Sequence, residues 1–506
     1  VTHEEAQAAL SGLSLDDPAT LFRVGIGLLN ADRPEELLET ARAAALRHRD
    51  NPRLQQLLGL AARATGNSRL ALDAFDRAAR LAPADPLIAH SHARAALEAG
   101  EPATALFDRA ARLSPQDASV VLGRIAAIAA AHSVDAAIDV LAPIVGKNAL
   151  WFEGHRTLAR LKGQQGLDPA ESVIQALSQH PDQIDLHREL IAIRLEARDL
   201  DGADNAASIA FDQFGDQPWL AELCAHIASE RGAFDQADKL FMALGPGRSL
   251  GLVAQRARHL IRANRPERAI ELIEPWIEND DDRLLWPYLA LAWRMTGDHR
   301  WTWLAGDERL IGVYDLGDQV GDLAVLADHL RGLHNAKGAP LDQSVRGGTQ
   351  TDGNLLLRDE APITGLRSRI LEAVADYIAQ LPPPESGHPF LIATRSPVRI
   401  AGSWSVRLVD DGFHADHIHS QGWISSAFYV SLPGGHDSAQ CQGSEEGWLS
   451  LGEARDLVPE LAPVRLVEPK PGRLVLFPSI MWHGTRPFPA GERLTVAFDI
   501  ARPQQG

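Results

Sequence analysis

At 506 residues the chain exceeds what one ordinary hydrophobic core serves, so two or three domains are expected. Hydrophobic residues make up 45% and charged residues 23%, the composition of a folded globular protein with little room for extensive disorder. The formal charge of -18, from 49 Lys plus Arg against 67 Asp plus Glu, sets a field that opposes nucleic acid as a general partner.

The two cysteines, Cys224 and Cys441, belong to no repeated spacing, which excludes a disulfide framework or a Cys-rich zinc site. The first residues, Val1-Thr2-His3-Glu4-Glu5, are acidic rather than basic and apolar, and no apolar run reaches membrane-spanning length. A cytoplasmic protein without membrane contact is the expectation.

From Glu5 to about Trp301, Ala and Leu recur at intervals of three and four, with Gly, Asn, Asp or Pro between the runs, which predicts successive α-helices. Phe75-Asp76-Arg77-Ala78-Ala79-Arg80-Leu81-Ala82-Pro83 returns 32 residues later as Phe107-Asp108-Arg109-Ala110-Ala111-Arg112-Leu113-Ser114-Pro115. Gly66-Asn67 and Gly100-Glu101 fall where the two helices of a unit turn, Ala71 and Ala103 where they approach closely, and weaker copies place Ala237 and Ala269 32 residues apart. The pattern resembles the tetratricopeptide repeat. Units of this kind stack into a curved superhelix because each buries its apolar face only against the next. Its inner face suits an extended peptide; packing on a neighbouring domain and homodimerisation are the other uses of such an array. Trp276, Trp286, Trp293, Trp301 and Trp303 are expected to fill the junction where the array ends.

Near Trp303 the helical period stops, which puts the domains at 1–302 and 303–506. Ser344 to Gly353 reads as a polar loop around Gly347-Gly348, and a helix is predicted from Ile363 to Leu381, stopped by Pro382-Pro383-Pro384. Strand-prone runs follow at 398–400, 404–408, 424–432, 465–467, 473–477 and 494–500, separated mostly by turn residues, as in an antiparallel barrel or jelly roll.

The densest chemical signal is Gly412-Phe413-His414-Ala415-Asp416-His417-Ile418-His419. In an extended segment His417 and His419 project from one face and reach one metal ion. His483, just after a strong strand run, is the best third ligand. His414 with Asp416 is the alternative first pair, since it would bring a carboxylate to the metal. Arg493 and Thr495 can meet a carboxylate with a fixed cation and a hydroxyl. Gln421, Trp423, Ser425 and Tyr429 fall at odd spacing on one predicted strand face. Trp482 is expected to steady His483. Arg346 and Gln350 flank the Gly-Gly turn as candidates to close over substrate, and His436, Asp437 and Glu445-Glu446 mark a polar connection.

In order along the chain, Arg346-Gly347-Gly348-Thr349-Gln350-Thr351, His417-x-His419, Gly422 to Val430, Gly447-Trp448-Leu449, Pro471 to Ser479, Trp482-His483-Gly484-Thr485 and Arg493 to Asp499 resemble the iron(II)/2-oxoglutarate oxygenases attached to tetratricopeptide arrays. The resemblance implies an α+β multidomain protein, with a tetratricopeptide-like superhelix followed by a double-stranded β-helix (jelly roll). It implies Fe(II) held by His417, His419 and His483, an all-His set in place of the usual two histidines and one carboxylate. It further implies 2-oxoglutarate on Arg493 with Thr495, with Tyr429 a candidate contact to it, dioxygen as co-substrate, and hydroxylation of a substrate, here expected to be a polypeptide positioned by the array. The alternatives are a small-molecule oxygenase, an iron dioxygenase without a 2-oxo acid, and a repeat-based interaction protein whose oxygenase domain has lost turnover.

Overall fold

The helices between His3 and Thr296 begin where the sequence offers side-chain acceptors. Asp17, Asn51, Asn67, Asp85, Asp117, Ser133, Asp199 and Ser249 each accept from a first-turn N–H of the helix that follows, satisfying donors that have no partner within the helix. The first helix of a unit ends in a left-handed residue: Asp32, Gly66, Gly100, Gly166, Arg198, Gly232, Asn264 and Gly297 all have positive φ, spaced one unit apart with one interval doubled. The repeated phenylalanines explain close packing within the stack. A Cβ on Gly59 would lie 2.8 Å from the Phe75 ring, and one on Gly123 would lie 2.3 Å from Phe107, so each ring occupies the space a side chain would fill on the helix beside it. The computed structural model describes residues 2–245, 247, 249–341, 343–433, 445–488 and 490–503, and no helix among them is long and apolar enough to cross a membrane.

The strands are β1 (Gly312–Asp315), β2 (Val345–Gln350), β3 (Ile400–His414), β4 (Gly422–Ser431), β5 (Leu449–Leu451), β6 (Arg465–Val467), β7 (Arg473–Pro478), β8 (His483–Thr485) and β9 (Glu492–Ala501). A major sheet runs β1-β7-β4-β9-β3-β2 and a minor sheet β6-β5-β8, with every pairing antiparallel. Period-two alternation sorts the side chains. Phe428, Leu474, Leu476, Leu494, Val496, Phe498 and Ile500 pack with Ile363, Leu366, Ile370, Val374 and Tyr377 of the helix Ala361–Gln380. Their neighbours Tyr429, Val475 and Phe477 meet Leu449, Leu451 and Val467 of the minor sheet. The result is an α-helical repeat array followed by a jelly roll that carries a helix on its outer face.

Two local expectations change. The stretch expected as a loop at Ser344 to Gly353 contains β2, paired with β3 from Val345–His414 to Gln350–Val406. Gly347 and Gly348 form no turn there but sit in the irregularity of that pairing, Gly347 with φ of 68° and Gly348 where a Cβ would lie 2.3 Å from the Arg407 carbonyl oxygen. Of the run at 398–400 only Ile400 is in a strand, and it is continuous with the run at 404–408 because the chain continues through Gly402 as β3.

The edge of the array formed by its unit turns and the adjoining helix ends lies against the second half of the chain. Arg399 donates to Glu35 (2.6 Å) and pairs with Asp32. Asp359 N–H donates to Ala99 O (2.9 Å), and the main-chain N–H groups of Lys337 and Gly338 donate to Gln164 O (3.0 and 2.9 Å). Arg198 is 3.6 Å from Asp456, Arg262 donates to Asp456 O (3.0 Å), and Arg294 donates to Gly452 O. At the last helices, Trp286 and Trp293, with Trp276, Trp301 and Trp303 against them, form one cluster with Ile480, the junction packing expected of these rings.

Candidate metal centre

His417 and His483 form an isolated antiparallel bridge. Each donates its backbone N–H to the other's carbonyl, at 2.9 and 3.0 Å, so the two side chains stand directly opposite one another. Their ring centroids are 4.2 Å apart. His419, two residues on, projects to the same side, 4.9 Å from the His417 ring and 5.2 Å from that of His483. One nitrogen from each of the three lies within 4.8 Å of the other two.

The remaining ring nitrogens fix the tautomers. His417 Nδ1 lies 2.8 Å from Ala415 O and His483 Nδ1 lies 2.9 Å from Met481 O. A carbonyl oxygen only accepts, so Nδ1 carries the proton and Nε2 keeps its lone pair. His419 Nδ1 lies 2.6 Å from Asp499 Oδ2, a carboxylate oxygen, so Nδ1 is the donor of that contact. Burial, and then the neighbouring imidazole of His419, push the His417 pKa down to about 3; burial holds His483 well below the usual imidazole range. Imidazoles with oriented Nδ1–H groups and converging Nε2 atoms are the donor set that a divalent transition metal takes.

His414 and Asp416 are placed otherwise. His414 closes β3, its backbone N–H donating to Thr485 Oγ1 (2.8 Å) and its Nδ1 lying 3.0 Å from Ser344 Oγ. Its ring stacks at 6.0 Å on that of His417. Asp416 is taken up by Arg455, whose main-chain N–H and Nε each reach Oδ2 at 2.7 Å. The group of side chains able to share one ion contains neither residue.

Strand β9 carries the other candidates. Its even-numbered residues face the outer helix, which turns Arg493, Thr495 and Asp499 to the opposite face. Arg493 is 2% exposed; it donates to Gly447 O, and its guanidinium lies 4.9 Å from the Tyr429 ring centroid. Among the described residues no carboxylate pairs with it, and Arg493 Nε and the Tyr429 hydroxyl are buried without a hydrogen-bond partner. Burial lowers the Arg493 pKa and raises that of Tyr429. Thr495 is buried opposite Tyr429. A buried cation beside two hydroxyl side chains suits a carboxylate.

Several expected positions fall elsewhere. A bulge between Gly422 and Ile424 breaks the alternation of β4, so Trp423 turns to the outer core, its indole donating to Phe390 O (3.0 Å). Gln421 is exposed in the preceding turn; only Ser425 and Tyr429 of that odd-numbered set reach the inner face. Arg346 donates to the carbonyls of Gln343 and Val345 (2.6 and 2.8 Å), and Gln350 is paired in the sheet. Trp482 packs on Tyr288 and donates to Pro287 O (3.1 Å). Glu445 pairs with Arg486 and lies in the connection before β5. Glu446 follows it and is exposed, while His436 and Asp437 lie outside the described residues. Asp499 went unnoticed in the sequence, although its odd-numbered register with Arg493 and Thr495 was readable.

Fold and cluster together give a jelly-roll domain in which three histidines could share one metal ion. Residues 402–499 match the family model described as "Putative 2OG-Fe(II) oxygenase", a span that includes every residue of the cluster and Arg493. The C-terminal region is therefore a 2OG-Fe(II) oxygenase domain, and the cofactors of that family are Fe(II) and 2-oxoglutarate. No curated protein matches the chain. Among solved structures, a Pseudomonas putida prolyl-4-hydroxylase is 16% identical over 38% of this chain and 92% of its own (TM-score 0.26). HygX from Streptomyces hygroscopicus, solved with nickel and 2-oxoglutarate, is 13% identical over 40% and 84% (TM-score 0.26). A tetratricopeptide repeat protein from Parabacteroides merdae is 16% identical over 45% and 93% (TM-score 0.29).

Proposed function

We propose that the protein is an iron(II)- and 2-oxoglutarate-dependent hydroxylase in which His417, His419 and His483 hold the metal, while Arg493, Thr495 and Tyr429 receive the far carboxylate of 2-oxoglutarate. The observation that carries this reading is Arg493, a buried guanidinium with no carboxylate partner among the described residues, on the domain that also brings three imidazoles to one point. An unpaired buried cation is costly, and a dicarboxylate cosubstrate offsets that cost. Bound iron(II) and 2-oxoglutarate supply dioxygen activation, with loss of carbon dioxide from 2-oxoglutarate. The chain's part is to present neutral Nε2 donors through the His417–His483 bridge and to orient the cosubstrate by its far end. The test is an anaerobic titration of Fe(II) and 2-oxoglutarate into the intact protein, followed by the metal-to-cosubstrate absorption band. Folded, iron-loaded protein that gives no heat of 2-oxoglutarate binding would refute the reading.

Our reading of the substrate is a polypeptide segment, supported by the extended surface that stacked helical units create. A second reading, a small acceptor served by the oxygenase half alone, is favoured by one observation: the turn edge of the array already lies on that half, through Asp32, Ala99, Gln164, Arg262 and Arg294. Succinate release by the intact chain, measured across polypeptide and small-molecule acceptors, separates the two.

A further inference from the structure

His419 differs from the other two candidate ligands in what holds it. His417 and His483 rest on backbone carbonyls, whereas His419 Nδ1 rests on a carboxylate, Asp499 Oδ2, at 2.6 Å. The other oxygen of Asp499 accepts from Ser425 Oγ (2.6 Å), which is 2.9 Å from Ser479 Oγ. Asp499 faces Gly402 on β3 and Ser425 on β4, and the imidazole it holds is that of His419. A Cβ on Gly422 would lie 2.5 Å from Ser479 Oγ and 3.5 Å from Asp499 Cβ, so the backbone closes tightly over this chain of hydrogen bonds.

Three neutral imidazoles leave the full charge of a divalent ion in a partly buried site, whereas a set with one carboxylate halves it. Asp416, the nearest acidic residue in sequence, is occupied by Arg455. We propose that Asp499 is the carboxylate of this centre, placed one hydrogen bond outside the metal: a positioning residue that fixes the His419 ring and tautomer and offsets the charge that an all-His set leaves. This inference rests on the reading that His417, His419 and His483 are the ligands. A carboxylate in that position also raises the basicity of the imidazole it holds.

The test uses the full chain loaded anaerobically with Co(II), and needs no turnover. In the wild type, three solvent-exchangeable, hyperfine-shifted imidazole N–H resonances are expected, one for each Nδ1–H. Asp499→Asn keeps the shape and removes the charge; one resonance should move or broaden by exchange, the other two should stay, and Co(II) affinity should fall about 10- to 100-fold. Asp499→Ala should lose at least as much, and Ser425→Ala less. Three unmoved resonances in Asp499→Asn, with affinity within about twofold of wild type, would overturn the proposal while leaving the ligand set intact. Fewer than three resonances in the wild type, with His419→Ala binding Co(II) as well as wild type, would overturn the ligand set and this inference with it. Asp499→Asn decides the matter even if Asp499→Ala fails to fold, because it is isosteric.

Discussion

The carboxylate of Asp416 is gripped by Arg455 through the main-chain N–H and Nε, both at 2.7 Å, and its side chain is 1% exposed. It anchors the loop before β6 to the segment that carries the candidate ligands. Asp416→Ala should therefore act on stability first. Removing one partner of a partly buried pair strands the other; with Arg455 30% exposed, a loss of about 2 kcal/mol is expected from urea denaturation. Metal affinity should fall less than in His417→Ala, His419→Ala or His483→Ala, as read by Co(II) titration.

Arg493→Met should separate metal from cosubstrate. The substitution approximately keeps volume and removes a buried charge that has no carboxylate partner among the described residues, a change that is often neutral or stabilising. The thermal midpoint of the metal-free protein should not fall, Co(II) affinity should persist, and 2-oxoglutarate affinity of the metal-loaded protein should drop at least about 100-fold by calorimetry. Loss of all three properties together would indicate a structural arginine.

Acid sensitivity should trace in part to His334. Burial, and then the charge of Arg407, push its pKa down to about 4, while its ring nitrogens bond Thr349 Oγ1 (2.8 Å) and Ser405 Oγ (3.1 Å). The unfolded chain protonates first, at about pH 6.5. The contribution is thus fully present above that pH, declines as pH falls, and levels off below about 4. His334→Gln should flatten the unfolding free energy between those limits by on the order of 3 kcal/mol relative to wild type, measured by urea denaturation across pH.

The oxygenase half should depend on the array for its native state. Ala454, Leu457 and Trp482 pack in one cluster with Leu260, Ile261, Ala269, Leu291 and Ala292, and Ile480 packs with Trp286 and Trp293. Residues 303–506 alone would expose this surface, and are expected to show weakened near-ultraviolet circular dichroism and to bind a hydrophobic dye. In the intact chain, Trp482→Ala should cost about 3–4 kcal/mol, with Trp482→Phe costing less. A shortened chain with native near-ultraviolet spectra would contradict this dependence.

Much of this architecture was readable because it follows local periods. The capped helices, the strand alternation and His417-x-His419 each need only a few neighbouring residues to be seen. What was hidden depended on pairing across the chain. The bulge that turns Trp423 outward exists only in the register of β4 with β9. Gly347-Gly348 looked like a loop because only its contact with β3 makes it a strand. Asp416 looked available because Arg455, its partner, lies 39 residues away, and Asp499 approaches His419 from 80 residues downstream.

The left-handed residues at the turn within successive units, from Asp32 to Gly297, have a consequence for how this chain can change length. In a free-standing solenoid, gaining or losing one unit merely lengthens or shortens the rod. Here the units are in phase with a second object: Asp32 meets Arg399, Ala99 meets Asp359, and Arg294 meets Gly452. Deleting one unit would carry every earlier turn a full step out of alignment with its partner. The array is therefore a ruler cut to the oxygenase half, and its number of units is fixed by what it measures.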